Sequence, residues 1–224
     1  MATGTRAARR STRELGELAR LAVVLGGLAA SVGLRVLALH AAFPIGTDGL
    51  VFGAALLGLA AIGHQTATRS PATVIAQALP TALPSALGHR LTDLAIGAIG
   101  GLVLIGIPLG IRASGIGGAA MHPDPGTFFA FPTWAALTIL VAVAEEVVLR
   151  GVVMDIGLAS IGVLPTVAVS SLAFALLHVP FYGWGVVPLD IAVGIWLCGL
   201  RLVTGSVAAP TAAHALADLA TWWL

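Results

Sequence analysis

Three short segments of this sequence place ionisable side chains within apolar surroundings. An imidazole beside a carboxylate can take a proton from water and deliver it to a leaving amine, and a second imidazole with a polar partner can stabilise an oxyanion. Two histidines with one or two carboxylates equally suit zinc with an open position for water. Both arrangements hydrolyse an amide. The ionisable residues of the three segments are Glu145, Glu146 and Arg150; His178; and His214 and Asp218.

Helical spacing separates the acidic residues by role. Glu146 and Arg150 are four residues apart, so on a helix they lie one turn from each other and are expected to pair. Glu145 is rotated by about 100° from Glu146 on a helix of 3.6 residues per turn, which leaves it available for chemistry. Asp190 follows Pro188 at a predicted helix start, where the helix dipole favours negative charge, and a structural role is predicted for it.

The remaining residues are expected to converge with Glu145. His214 and Asp218 are four residues apart and share a helix face, and Phe174 precedes His178 by one turn and can wall its ring. Glu145 and His178 are equally far from the predicted turn between their helices, so both are expected about 24 Å from that turn. His214 is expected about 13 Å from the turn before it. The two expected depths differ by roughly 10 Å. The residues therefore converge on one buried site only if tilting of the helices compensates for this difference.

Composition identifies the elements that must position these residues. Of the 224 residues, 58% are hydrophobic and 9% are charged, whereas soluble domains carry about 25% charged residues. The long apolar runs without alternation exclude a soluble enzyme and a membrane barrel. The fold class predicted is therefore all-α, a polytopic transmembrane helical bundle.

About seven membrane spans are predicted from a requirement of about 20 apolar residues per helix. The domain organisation is one integral membrane domain with an Arg-rich tail at 1–19, transmembrane helices and loops at 20–131, and the helices that carry the ionisable segments at 132–224. The intervening stretches 64–90 and 112–131 are predicted loops. The predicted spans are 20–43, 46–63, 91–111, 132–159, 161–183, 187–203 and 206–224.

The distribution of arginine predicts the orientation, because basic residues near the spans are retained on the cytoplasmic side. The tail through Arg20 holds five arginines and the loop at 64–90 holds Arg69 and Arg90, so the N-terminus is expected in the cytoplasm. The net charge of +1 gives no indication of a nucleic-acid partner. All eleven basic residues are arginine, and the sequence is rich in Ala and Gly. This composition favours a bacterial source, so the protein is expected to be an integral protein of a bacterial plasma membrane.

The three segments, in this order, resemble the CAAX protease and bacteriocin-processing family of intramembrane endopeptidases, also called the ABI family. That family includes the Ras-converting CAAX endopeptidases. Its motifs EExxxR, FxxxH and HxxxN or HxxxD correspond here to EEVVLR, FALLH and HALAD. The resemblance covers about residues 132–220.

The resemblance implies an activity and a set of roles. Glu145 would activate water with His178, and His214 with Asp218 would complete the catalytic site, with Glu146, Arg150 and Phe174 supporting it. The substrate would be a membrane-associated protein or peptide within the lipid bilayer. Members are often called metalloproteases, so zinc or another divalent metal is a possible cofactor, with Glu145, His178, His214 and Asp218 as ligand candidates. Asp218 stands where many members have Asn, and an ionised Asp only accepts hydrogen bonds, which favours metal ligation or orientation of His214.

Two other functions stay open at this level. One is a non-catalytic relative that acts as a bacteriocin self-immunity protein or a membrane scaffold. The other is a proton-coupled transporter that uses the intramembrane acids and histidines as a relay. The sequence specifies neither the substrate nor the oligomeric state.

Overall fold

A computed structural model describes residues 2–41, 43–44, 46–65, 86–113 and 130–224, and the regular structure of these residues is entirely helical. This confirms the all-α fold class. The predicted loops at 64–90 and 112–131 lie largely outside the described residues. The helices are α1 (Ala2–His40), α2 (Thr47–Gln65), α3 (Ala86–Ala113), α4 (Phe131–Glu146), a π-helix (Val147–Val153), α5 (Met154–Ser160), α6 (Val163–Tyr182), a 3₁₀ turn (Trp184–Val186), α7 (Val187–Thr204) and α8 (Ala208–Ala220).

Five helical stretches of the described residues are long and apolar enough to cross a membrane. They coincide with five of the predicted spans, and the chain is an integral membrane protein built as a helical bundle. Helix α1 extends well before the span predicted at 20–43, and α3 begins at Ala86, five residues before the span predicted at 91. The five stretches are Leu15–His40, Thr47–His64, Gly88–Ile107, Val163–Tyr182 and Trp184–Thr204.

The other two predicted spans have a different form. The span predicted at 132–159 is a helical run in which α4 passes directly into the π-helix and then into α5. The span predicted at 206–224 is too long, because α8 has only 13 residues. At 1.5 Å per residue, α8 is about 20 Å long, which is shorter than a hydrocarbon core of about 30 Å.

Close packing of small residues fixes the position of α8 against α3. A methyl group added at Gly97 would lie 2.8 Å from the Ala212 Cβ, and one added at Gly101 would lie 2.9 Å from the Ala213 oxygen. Small residues allow helix backbones to approach closely where lipid supplies no hydrophobic driving force between helices. A small residue likewise allows α7 to approach α6 closely, because a methyl group added at Gly194 would lie 2.8 Å from the Ser171 Cα.

The charge of Arg35 in the first helix is accommodated by three neighbours on other helices. Its Nε lies 3.4 Å from Asp48 Oδ2, and its guanidinium lies 5.0 Å from the Phe52 ring centre and 4.3 Å from that of Phe181. A cation over an aromatic face is attracted by the ring quadrupole. Arg35 therefore ties α1 to α2 and to the C-terminal end of α6.

We expect Gly97→Ala to destabilise the protein by about 1–3 kcal/mol, the usual cost of overpacking a well-packed contact. The matched control is Gly106→Ala on the same helix, because nothing lies within 4 Å of a methyl group at that position. Thermal unfolding of both purified variants in detergent measures the difference. Equal midpoints for the two variants would show that the contact between α3 and α8 is not tight.

Candidate functional site

A buried ion pair joins α4 to the π-helix. Arg150 Nη1 donates to Glu146 Oε1 at 2.7 Å, and both side chains are 0% exposed. This confirms the pairing predicted from their spacing. Arg150 also donates through Nη2 to the Gly194 carbonyl oxygen on α7 at 3.1 Å. The guanidinium is thus neutralised on one side and fixed to a neighbouring helix on the other.

His214 on α8 is the imidazole that meets the acidic residues. Its Nδ1 lies 3.0 Å from Glu146 Oε1, and its Nε2 lies 3.3 Å from Asp218 Oδ2. The same Nε2 is 4.0 Å from Glu145 Oε2. One imidazole therefore contacts carboxylates of both the first and the third sequence segments.

Phe174 brings the second segment into this cluster. Its ring meets the His178 ring edge-on at a centroid distance of 4.8 Å, as the spacing of the two residues predicts. It also meets the His214 ring edge-on at 5.3 Å, and the Arg150 guanidinium lies 4.9 Å from its centre. One aromatic ring from α6 thus contacts both imidazoles and the guanidinium.

His178 has partners that differ from the expected one. Its Nδ1 lies 3.0 Å from the Phe174 carbonyl oxygen and 3.4 Å from Asp190 Oδ2. Its ring is stacked with that of Tyr182 at 5.9 Å. Within the described residues no ion pair joins His178 to Glu145, whose imidazole neighbour is His214. The equal distance along the hairpin places two residues at one level but does not determine the direction in which each side chain points.

Three further residues lie around the cluster and are outside the predicted set of site residues. Asp190 lies in the first turn of α7 as predicted, but it also contacts His178. Tyr182 follows His178 by one helical turn, and that spacing is the signal that identifies it. Arg201 is a basic residue in an apolar span, and intramembrane charge is itself a signal of a specific role.

Arg201 and Ser170 hold the π-helix to its neighbours. Arg201 Nε donates to the Arg150 carbonyl oxygen at 2.9 Å, and its Nη2 donates to Asp155 Oδ1 at 3.0 Å. Ser170 donates to the Leu149 carbonyl oxygen at 3.3 Å. A π-segment inside an α-helix is rare and is frequent at functional sites. Here it begins directly after Glu146, so these bonds fix the backbone that carries Arg150.

Burial changes systematically across the site. The side chains of Glu146 and Arg150 are fully buried, and those of Glu145 and His214 are nearly so. In contrast, Asp218 is 43% exposed and His178 is 19% exposed. The site therefore has a closed floor at the ion pair and is accessible from the side of Asp218 and His178.

The side chains of the site differ in arrangement from those of a metal centre. Among the described residues no group of three or more His, Cys, Asp or Glu side chains is arranged to hold a metal ion. Both nitrogens of His214 face carboxylates, and the carboxylate that His178 contacts is that of Asp190, which is not among the candidate ligands. The candidate ligands of the sequence analysis thus do not form a ready ligand set for zinc.

Residues 127–220 match the model of the family described as type II CAAX prenyl endopeptidase Rce1-like. No curated protein and no solved structure gives a significant match to the chain. The matched region contains all three ionisable segments, and the match supports membership of the CAAX protease and bacteriocin-processing family. The similarity supports, at the level of the family, a CAAX-type intramembrane protease function and a membrane-associated protein substrate.

We expect Arg150→Met to lower the free energy of unfolding by about 3–5 kcal/mol, because it leaves Glu146 as an unpaired buried charge. The double variant Glu146→Gln/Arg150→Met is expected to recover part of this loss. A control is Arg20→Met, since the Arg20–Glu17 pair is partly exposed and such pairs contribute about 0–1 kcal/mol. Thermal unfolding in detergent gives the comparison. A double variant less stable than Arg150→Met would contradict the assignment.

Proposed function

We propose that the chain is an intramembrane endopeptidase in which Glu145 activates a water molecule for attack on a peptide bond. The observation that carries the proposal is the placement of His214, whose Nε2 faces Glu145 at 4.0 Å and Asp218 at 3.3 Å while Nδ1 is held by Glu146. A gap of 4.0 Å is too long for a direct hydrogen bond. It has the length that a bridging water fills.

Glu145 is the proposed general base. Of the two adjacent glutamates, Glu146 is neutralised by Arg150 at 2.7 Å, whereas Glu145 has no arginine partner among the described residues and is nearly buried. Glu145 takes a proton from the water while the water oxygen forms a bond to the carbonyl carbon. The protonated Glu145 then delivers that proton to the amide nitrogen as the carbon–nitrogen bond breaks. The products are a carboxylic acid and an amine, and the acid then releases its proton.

His214 and Asp218 are proposed to stabilise the oxyanion. With Nδ1 held by Glu146, the Nε2–H of the imidazolium form points toward Asp218 and Glu145. A fixed donor in a water-poor site stabilises developing negative charge more strongly than the same donor does in water. Asp218, which only accepts when ionised, fixes the direction of this N–H before the substrate enters.

His178 is proposed to hold the attacking water from the opposite side. Its Nδ1 faces the Phe174 carbonyl oxygen and Asp190, which leaves Nε2 on the far side of the ring for water or substrate. Phe174 contacts both imidazoles, and each imidazole is proposed to act on a different side of the scissile bond. Access from the exposed side suits a substrate that approaches from the membrane. We further propose a location in a bacterial plasma membrane, with the N-terminus in the cytoplasm.

The isosteric variant Glu145→Gln is expected to lower cleavage by about 10²–10⁴-fold, the usual contribution of a general base. The test compares the membrane peptidomes of cells that carry the wild type or the variant at matched expression. Protein termini that disappear in the variant identify the substrates. Glu17→Gln is the control, because Glu17 pairs with Arg20 on α1, a helix that carries none of the proposed catalytic residues.

An unchanged peptidome, with the Glu145→Gln protein accumulating normally, would overturn the protease proposal. A retained biological effect of that variant would then favour the immunity or scaffold function. Flux that responds to membrane potential in liposomes containing only this protein would favour the transporter.

The proposed mechanism uses only groups of the protein. Whether cleavage needs a metal ion is tested by chelation. We expect the purified protein to keep its activity after dialysis against EDTA, because Glu145 and His214 supply the base and the oxyanion donor. Addition of zinc is then expected to leave the rate unchanged. Loss of activity on chelation and its return with zinc would assign the site to metal-assisted hydrolysis.

A further inference from the structure

Asp190 is a part-buried carboxylate in an apolar helix, and its close ionisable neighbour is an imidazole. Its side chain is 17% exposed and its Oδ2 lies 3.4 Å from His178 Nδ1. This oxygen is buried and has no hydrogen-bond partner within the described residues. Intramembrane carboxylates cost free energy and typically mark a functional role. The helix dipole favours a negative charge in the first turn of α7. It does not explain why the Asp190 side chain lies against an imidazole on α6.

The surroundings of His178 define what Asp190 can do. Nδ1 lies 3.0 Å from the Phe174 carbonyl oxygen, so two acceptors face the same nitrogen. Tyr182 stacks on one face of the ring and Phe174 meets it edge-on. Other ionisable groups within electrostatic range of Asp190 among the described residues include Glu145, Asp218, His214 and Tyr182. The ring is therefore constrained on three sides, and Nε2 is the nitrogen left for the reaction.

We infer that Asp190 is a positioning residue of the proposed protease, which holds His178 with Nδ1–H toward α7 and the Nε2 lone pair toward the attacking water. This inference rests on the proposed function. The tautomer and orientation of a working imidazole are set by the hydrogen bond that its other nitrogen makes. Distances between such partners are commonly longer without substrate than in the reacting complex, which fits a contact of 3.4 Å.

The experiment is a set of variants at Asp190 measured for both kcat and KM on a substrate identified through the Glu145→Gln comparison. Asp190→Ala is expected to lower kcat about 10–100-fold, with KM changed less than about twofold. Asp190→Asn keeps an oxygen acceptor for Nδ1–H and is expected to retain more activity than Asp190→Ala. If Asp190 only complements the helix dipole, both variants lose the same charge and have equal activity, which would overturn the inference.

A matched control and a double variant complete the test. Asp48 is also a first-turn acid, on α2, with a similar exposure of 19%, and Asp48→Asn is expected to leave kcat unchanged. Asp190→Ala in a His178→Gln background is expected to lower kcat no further, because Asp190 acts through His178. A full additional 10–100-fold loss in that background would show that Asp190 acts on its own.

The thermal stabilities of the same variants separate failure of this inference from failure of the proposed function. If the wild type shows no Glu145-dependent cleavage, the protease proposal fails, and the pairing of Asp190 with His178 is still measured by unfolding in detergent. Non-additive shifts in Tm for Asp190→Asn and His178→Gln support the pair. Additive shifts contradict it.

Discussion

The site depends on one constraint, which is that charge buried away from water must be neutralised and hydrogen-bonded. The Glu146–Arg150 pair meets this constraint at zero exposure, and its remaining bonds recruit the surrounding helices. Arg150 bonds to the Gly194 carbonyl on α7 and lies over Phe174 on α6, while Glu146 contacts His214 on α8. Because removing any partner leaves an unpaired group in an apolar interior, these helices have one favourable arrangement around the pair.

The ion pair also explains why two adjacent glutamates differ. Glu146 is occupied by Arg150 and His214, whereas Glu145 contacts His214 only across 4.0 Å. A helix rotates consecutive side chains by about 100°, so one residue faces the arginine and the other faces the accessible part of the site. The closed floor thereby lies beside a buried carboxylate that no arginine neutralises among the described residues. Burial of the floor and partial exposure of Asp218 give the site a direction of entry.

The fold was largely predictable because a membrane restricts the chain to a few structures. Five stretches matched predicted spans closely, since an apolar run of sufficient length forms a helix whatever its neighbours. The exceptions are instructive. The π-helix at Val147–Val153 is stabilised by hydrogen bonds from Arg201 and Ser170 on other helices. The sequence of the segment itself does not predict these bonds. The short helix α8 owes its place to contacts with glycines of α3.

By itself the sequence determined the helical class, through its composition and long apolar runs. It also determined the pairing of Glu146 with Arg150 and the contact of Phe174 with His178, because these two contacts depend only on helical period. It also supplied the motifs that the family match then supported. Only the tertiary structure decided that His214, and not His178, is the imidazole nearest Glu145, and that Asp190 faces His178. The physical reason is that spacing along a helix fixes which residues share a face. Which face meets which neighbour is decided by side-chain packing and charge neutralisation between helices.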